Sequence, residues 1–326
     1  DHLQASLNLT DGPLFRAALV RGGPSRPARL LVGAHHLVVD GMSWRIILED
    51  LFTSYRGLVD GTEPALPPKT TAYPDWATQV NRYAGSTAAA RELDYWTSLP
   101  YHLAPPLPGT PEVRPTDAST AVVRTELDPA LTQVLLRGDV EAALLCAVSS
   151  AFARWTGGRY VHFDVQRHAR EDFVPGVDIT RTVGWFADAH PVVLPVAAGD
   201  QTCARLNSVS EHLSRVPNHG AAYGSLRYLR PDSPLRTIVR ADVAFIYQGH
   251  VDSVVPTGFA ARILDEPPGR LRAPSTPRQY LIVVMAAVFR GRLSLGWSYA
   301  TSVHDPTTMN RLAQDTLATL QELARQ

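Results

Sequence analysis

Seven consecutive residues, His35-His36-Leu37-Val38-Val39-Asp40-Gly41, carry the strongest chemical signal in the chain. Two adjacent histidines follow an apolar run and precede a helical pattern by one short turn. An imidazole held between two such rigid elements suits general-base work. Asp40 can orient the turn, most simply by pairing with an arginine. Gly41 lets the backbone turn closely into the helix. The amides at that helix start face the histidine side and can stabilise negative charge developing on a carbonyl oxygen. A bare pair of histidines has a plainer reading as two hydrogen-bonded core residues. The order of strand, HHxxxDG and helix argues against it.

The elements that must hold this turn are legible around it. Leu14 to Val20 and Leu30 to Ala34 read as short core strands, separated by the loop Arg21-Gly22-Gly23-Pro24-Ser25. Beyond Gly41, the residues Trp44, Ile47, Leu48, Leu51, Phe52 and Tyr55 fall on one face of a helix. Ser43 is its expected cap, and Arg45, Glu49 and Asp50 lie off the apolar stripe. A second helical stretch runs from Trp76 through Val80 and Tyr83 to Leu93, Tyr95 and Trp96. The Pro-rich segment from Pro100 to Pro115 supports neither period and reads as a linker, which sets lobes of residues 1–105 and 106–326. In the second lobe, Leu127 to Leu136 and Val140 to Trp155 read as helices, and Tyr160 to Val165 and Pro191 to Pro195 as strands. Tyr280 to Phe289, the turn Arg290-Gly291 and the alternation of Leu293, Leu295, Trp297 and Tyr299 predict a hairpin with one buried face. Asp305-Pro306 caps a final helix with Met309, Leu312 and Leu320 inward. The fold class is α/β, in its α+β form.

Composition narrows the partners. A chain of 326 residues with 45% apolar residues suits two lobes of ordinary size. The 31 basic and 31 acidic residues balance, so no footprint for nucleic acid or an anionic membrane is visible. The longest apolar run, Leu281 to Phe289, falls far short of a membrane span, and a cytoplasmic location is expected. Cys146 and Cys203 lack metal-ligand spacing and read as buried free thiols in a reducing compartment. No metal and no permanently bound cofactor is expected. The chain opens at Asp1 and reaches a core-like strand by Leu14, so it reads as a piece of a longer polypeptide.

HHxxxDG resembles the signature of the condensation and epimerisation superfamily of nonribosomal peptide synthetases, and the extension Met42-Ser43-Trp44-Arg45 resembles its epimerisation branch. Leu66-Pro67-Pro68-Lys69-Thr70-Thr71, Asp75-Trp76 and Tyr95-Trp96 are similar to that branch's first-lobe pattern. Arg181-Thr182-Val183-Gly184-Trp185-Phe186 with Pro191-Val192, then Asn218-His219-Gly220, Tyr223-Gly224-Ser225-Leu226-Arg227-Tyr228-Leu229 and Tyr247-Gln248-Gly249 near Asp252, are similar to later motifs.

The resemblance implies a two-lobed, chloramphenicol acetyltransferase-like fold, V-shaped with a central tunnel that reaches the histidine. It implies a carrier protein whose phosphopantetheine arm brings an aminoacyl or peptidyl thioester. His36 would abstract the Cα proton, with His35 beside it. Asp40 would be structural, and the helix start after Gly41 would lie near the enolate oxygen. Ser43, Trp44, Trp185, Asn218 and Tyr223 would lie along the tunnel. Trp185 and Phe186 also read as core, and Tyr223 as packing.

Two departures stand out. Where the family carries a second catalytic group in a segment like Glu-Gly-His-Gly-Arg-Glu, this chain has Gln166-Arg167-His168-Ala169-Arg170-Glu171. The amide of Gln166 is no acid or base at neutral pH. Arg167 replaces a glycine and must find a place, and Glu171 or Asp172 would be the stand-in carboxylates. The residues before the histidines and between Leu136 and Val140 are also fewer than in the family pattern. The first lobe is therefore expected to be N-terminally incomplete and to expose sheet edge and apolar surface.

Three readings follow: epimerisation; condensation, which forms an amide between two carrier-bound substrates; and a catalytically degenerate domain that recruits a carrier or a tailoring enzyme. Arg227, Arg230, Arg236 and Arg240 read as a solvated face on which an acidic carrier surface could dock. His168 and His190 read as structural.

Overall fold

The computed structural model describes residues 2–170, 173–196, 202–252, 264, 269 and 271–326. They form two compact units. The first comprises the described residues of 1–76, 178–186 and 254–273, and the second those of 77–177, 187–253 and 274–326. The boundary read from the sequence at 105/106 lies inside the second unit. None of the described helices is long and apolar enough to cross a membrane.

In the first unit, a short helix α1 (His2–Ala5) precedes the antiparallel pair β1 (Phe15–Val20) and β2 (Arg29–Ala34). The 19-residue helix α2 (Gly41–Val59) follows. Its cap is Asp40, whose Oδ1 accepts the Ser43 amide at 2.7 Å, and not Ser43 as the sequence suggested. Asp40 takes the role because it stands three residues before that amide, at the usual capping distance. Both strands fall where expected, but they are not core. Phe15, Leu19, Leu30 and Leu31 are exposed, and so are Leu51 and Tyr55 of the α2 stripe. A two-stranded ribbon has too little face to bury a helix stripe, so only Ser43, Ile46 and Gly57 of α2 are buried.

The helical stretch read from Trp76 to Trp96 is two helices. Gly85 ends α3 (Tyr73–Ala84), and Ser86 caps α4 (Thr87–Ser98) by accepting the Ala89 amide at 3.1 Å. In the second unit, a six-stranded sheet runs in the order β3-β8-β7-β6-β4-β5. Its strands are β3 (Thr120–Glu126), β4 (Tyr160–Arg167), β5 (Asp188–Pro195), β6 (Val243–His250), β7 (Ile282–Phe289) and β8 (Arg292–Ala300). β4, β6 and β7 run parallel, and the outer pairs are antiparallel. β3 and β6 are absent from the sequence reading, whereas the β7–β8 hairpin closes at Arg290-Gly291 as read. Both turn residues have positive φ, as a two-residue hairpin requires.

Helices α5 (Pro129–Leu135), α6 (Val140–Thr156), α7 (Thr202–Ser214), α8 (Tyr223–Tyr228) and α9 (Pro306–Leu323) complete the unit. α6 is buried continuously from Ala142 to Ala153, and α9 turns Met309, Leu312 and Leu320 inward behind its Asp305 cap. Cys146 is buried on α6, and the apolar surroundings push its thiol up to about 11. Cys203 is exposed on α7, contrary to the reading of both thiols as buried. Its side of the helix carries the polar stripe.

The arginine face is solvated only in part: Arg236 and Arg240 are exposed, Arg230 is half-buried, and all four make bonds within the protein. Arg227 is buried and donates to the Tyr223 hydroxyl and the Ile238 carbonyl. Arg230 donates to the Ala84 carbonyl at 2.7 Å, and Arg236 gathers the carbonyls of Arg227, Tyr228 and Arg230 at the end of α8. Helix-terminal carbonyls lack intrahelical partners and recruit such side chains. Arg240 reaches Asp164 and the Tyr280 hydroxyl.

Candidate active site

His35 and His36 lie where β2 gives way to a single 3₁₀ turn, His36–Val38. The His35 amide donates to the Leu14 carbonyl at 2.8 Å, which extends the β1–β2 ladder. Its Nδ1 accepts the Leu37 amide at 3.2 Å and so caps the turn. His35 is thereby structural, while His36 is exposed. The His36 ring stacks on the Trp185 indole, with centroids 4.7 Å apart and planes at 29°. Among the described residues neither of its nitrogens has a hydrogen-bond partner. An imidazole fixed by its face, with its edge free, can accept a proton from a bound substrate.

Residues 178–186 strap the turn in place. Asp40 Oδ2 accepts the Phe186 amide at 3.1 Å, and the Asp40 amide donates to the Gly184 carbonyl at 3.1 Å. The Ser43 hydroxyl donates to the same carbonyl at 2.9 Å and accepts the Gly184 amide at 3.1 Å. Asp40 and Ser43 are buried, so Ser43 acts here as part of the lock. Gly184 is required: a Cβ there would strike the Tyr73 ring. Tyr73 packs against Trp76 and Phe186, and its hydroxyl donates to the Trp185 carbonyl at 3.0 Å. Burial, then the Asp40 charge, pushes that phenol up. Arg181 pairs with Glu49 at 2.8 Å and with Asp50, both on α2. Trp185 is thus a half-buried platform for His36, and Phe186 is core.

The start of α2 is less open than its sequence suggests. The Ser43 and Trp44 amides go to the carboxylate and carbonyl of Asp40, with Trp44 itself half-buried in the first turn. The Gly41 and Met42 amides have no acceptor among the described residues. Gly41 has no positive φ, and a Cβ there meets nothing within 4 Å. Its lack of a side chain is therefore not needed for the turn. We expect Gly41→Ala to melt no earlier than the parent protein, and up to about 1 kcal/mol more stably. Thermal unfolding measures this, and a selective loss of turnover in the same variant would mark Gly41 as a point of close substrate approach.

In the second unit, Gln166 stands near the end of β4, opposite Ala189 of β5 and beside Ile246 of β6. It lines a cleft of about 490 Å³ together with Glu141, Arg167, His168, Tyr247 and Gln248. Arg167 finds its place there in an ion pair with Glu141. Ala169, which stands at a family glycine, takes φ of +47°. His168 Nδ1 accepts the Arg170 amide at 3.1 Å. Glu171 and Asp172 lie outside the described residues.

Asn218 and Tyr223 belong to the cluster around Trp96 rather than to the Gln166 cleft. Asn218 Nδ2 donates to Glu92 Oε1 at 2.7 Å, and the Tyr83 hydroxyl donates to the same oxygen at 2.5 Å. Tyr223 is buried edge-on against Trp96, and its hydroxyl accepts from Arg227 at 3.0 Å. His190, fully enclosed beside Trp96, is pushed down to about 3 by burial and stays neutral. Gly220 is needed at φ +86° because a Cβ would strike that imidazole.

Asp188, at the start of β5, was not singled out by the sequence, since no spacing marks it. Its Oδ2 accepts the Gly224 amide at 2.7 Å, in space that a Cβ on Gly224 would occupy. Burial outweighs these donors and the nearby Arg240 and pushes the carboxyl up to about 6, against about 3.9 unfolded. A raised carboxyl contributes stability below its unfolded value and loses it as pH rises through about 6. Asp188→Asn should therefore be about 2–3 kcal/mol more stable than the parent at pH 8, with the gap under about 1 kcal/mol at pH 4. Urea melts at the two pH values measure it, and a pH-independent gap would contradict the assignment.

A family model for the condensation domain matches residues 1–326. The chain is 36% identical to a linear gramicidin synthase of Brevibacillus parabrevis over 98% of its length, and 37% identical to chondramide synthase cmdD of Chondromyces crocatus over 99%. It spans only 4% and 8% of those synthases. Among solved structures, the epimerization domain from the third module of tyrocidine synthetase B superposes with a TM-score of 0.90 at 30% identity, over all of this chain and 74% of that one. The first condensation domain of the calcium-dependent antibiotic synthetase, at 22% identity, shares the fold with a TM-score of 0.67 over 95% of this chain and 67% of that one. The fold is chloramphenicol acetyltransferase-like, and with its histidine turn locked to the Gly184 strap the chain belongs to the condensation-domain family of nonribosomal peptide synthetases.

Proposed function

We propose that the chain acts on an aminoacyl or peptidyl thioester carried on a phosphopantetheine arm, and that His36 abstracts the substrate's Cα proton, as in epimerisation. The observation that carries this reading is His36 itself: exposed, stacked on Trp185, and with no hydrogen bond on either nitrogen among the described residues. A thioester carbonyl takes up the electron pair of the broken C–H bond as an enolate. The Gly41 and Met42 amides at the head of α2 are the donors left to meet its oxygen. Asp40 spends its carboxylate on the Ser43 and Phe186 amides, which suits a positioning role. The likeness to a tyrocidine synthetase epimerization domain over the whole chain supports the branch. The thioester arrives as substrate on a carrier protein, and the protein itself needs no resident cofactor for this step.

Gln166 favours a second reading, condensation. Amide formation needs the histidine and orientation but no second acid or base, so an amide at position 166 costs it nothing. The test is solvent deuterium incorporation at Cα with the whole protein and a panel of N-acetylated alanyl, valyl and phenylalanyl pantetheine thioesters. Incorporation with partial inversion supports epimerisation. A new amide in the presence of an acceptor thioester, without incorporation, supports condensation. Neither product would leave a domain that recruits a carrier or tailoring enzyme.

A further inference from the structure

A second cavity lies at the far end of β4 from Gln166, and every residue of its wall belongs to the second unit. Its volume of about 450 Å³ falls within the roughly 300–1,000 Å³ of small-molecule sites. The strand carries Val161 of its wall about 16 Å from Gln166. The walls come from the start of β4, residues 237–243 leading into β6, Phe152 and Thr156 near the end of α6, and the segment 101–107. Packing fixes them. Gly158 lets Pro105 lie against the α6–β4 turn, since a Cβ there would strike the proline ring. Phe152 is fully buried, stacked on Trp297 and edge-on to Phe163. Tyr101 donates to the Trp96 carbonyl at 2.9 Å and meets the His162 ring edge-on, with centroids 5.2 Å apart. Walls held in this way cost a ligand little ordering.

The charges at this cavity are matched within the protein. Arg240 reaches Asp164 and the Tyr280 hydroxyl, and Asp242 pairs with Arg114 at 2.8 Å. A charged ligand must compete with these pairs, whereas a neutral one leaves them in place. His162 differs. Its Nε2 is buried with no hydrogen-bond partner among the described residues. Because that atom is covered, the ring must turn to present it to a ligand, and the gain is that of one ordinary hydrogen bond. The rest of the wall suits a flat ring. Tyr101, Tyr160 and Phe152 supply aromatic surface, and Pro105 and Pro106 supply flat apolar faces.

We propose that this cavity binds a neutral aromatic ring bearing one hydroxyl, whose O–H donates to His162 Nε2. The ring lies against the Pro105–Pro106 wall, and the Arg240 and Asp242 pairs stay intact at its rim. A free phenol and the tyrosine-like side chain of a peptide present the same chemistry to these walls. The inference is independent of the reaction at His36, since no residue of the histidine turn takes part.

The test titrates the whole protein, labelled at its methyl groups, with para-cresol, toluene, methylcyclohexanol and N-acetyltyrosinamide while nuclear Overhauser contacts locate each probe. The expected result is contact between the para-cresol ring and the methyls of Leu107, Val161 and Val243, with saturation in the millimolar range. Toluene should bind about 3–10-fold more weakly for want of the hydroxyl, and methylcyclohexanol about 2–10-fold more weakly for want of the aromatic face. In His162→Phe, once its melting matches the parent's, para-cresol and toluene should bind alike. N-acetyltyrosinamide in the same contacts, at least as tightly as para-cresol, would identify a peptide as the source of the ring. Binding at least about tenfold weaker would identify a free phenol. Contacts at other methyls only, no saturation by para-cresol, or equal binding of methylcyclohexanol would overturn the proposal. A preference for para-cresol over toluene that survives in His162→Phe would overturn the placement of the hydroxyl.

Discussion

His36→Ala should lower Cα deuterium incorporation by about 10²–10⁴-fold while costing less than about 1.5 kcal/mol of stability. The two halves of this expectation have separate physical origins. The rate falls because the variant lacks the imidazole that takes the proton. Stability changes little because His36 is exposed and its one described contact is the face of Trp185. His35→Ala should behave in the opposite sense. It removes the cap on the Leu37 amide and loosens the turn, so it should cost stability and lower the rate only as the turn loses its order. Trp185→Leu separates platform from base: it keeps an apolar side chain, leaves the Tyr73 bond to the main chain, and removes the stack on His36. Its rate should fall less than that of His36→Ala, with no change in folding midpoint beyond about 2–4 °C. A His36→Ala protein that incorporates deuterium at the parent rate would place the base elsewhere in the molecule.

How much of this site the sequence disclosed depends on the range of the interaction. The turn was legible because strand, histidine pair, aspartate and helix are contiguous, and the apolar period of α2 is unmistakable. The Asp40–Gly184–Ser43 lock spans about 140 residues, and no local period encodes it. Only the likeness of Arg181 to Phe186 to a known motif drew attention there, without showing that Gly184 exists to clear Tyr73. β6 escaped because its buried run Val243-Ala244-Phe245 is too short to distinguish from a helix turn. Arg227 and Arg230 were misread as solvated for a related reason. A guanidinium that gathers main-chain carbonyls has the same sequence as one facing water. Glu141 and Arg167 are 26 residues apart on a helix and a strand, and their pairing follows from the packing of α6 near the end of β4.

Asp40→Ala should destabilise the first unit by about 1.5–5 kcal/mol, the largest loss expected from any single substitution around the histidine turn. Two terms add. Loss of the helix cap costs about 0.5–2 kcal/mol, because the Ser43 amide loses the Asp40 carboxylate that accepts it at 2.7 Å. Leaving the Phe186 amide without its buried acceptor costs about 1–3 kcal/mol more. Gly184→Ala should follow at about 1–3 kcal/mol, since the added methyl must push aside a Tyr73 ring that Trp76 and Phe186 hold from behind. Native-state amide exchange is the suitable measurement, because it reports local opening amide by amide. Protection at Ser43, Gly184 and Phe186 should collapse together in Asp40→Ala, while α6 and β7 keep theirs. The same variant should lose incorporation in proportion to the opened fraction, because His36 is then no longer held against Trp185. Loss of activity without loss of protection at these three amides would mean that the Asp40 carboxylate acts on the substrate directly.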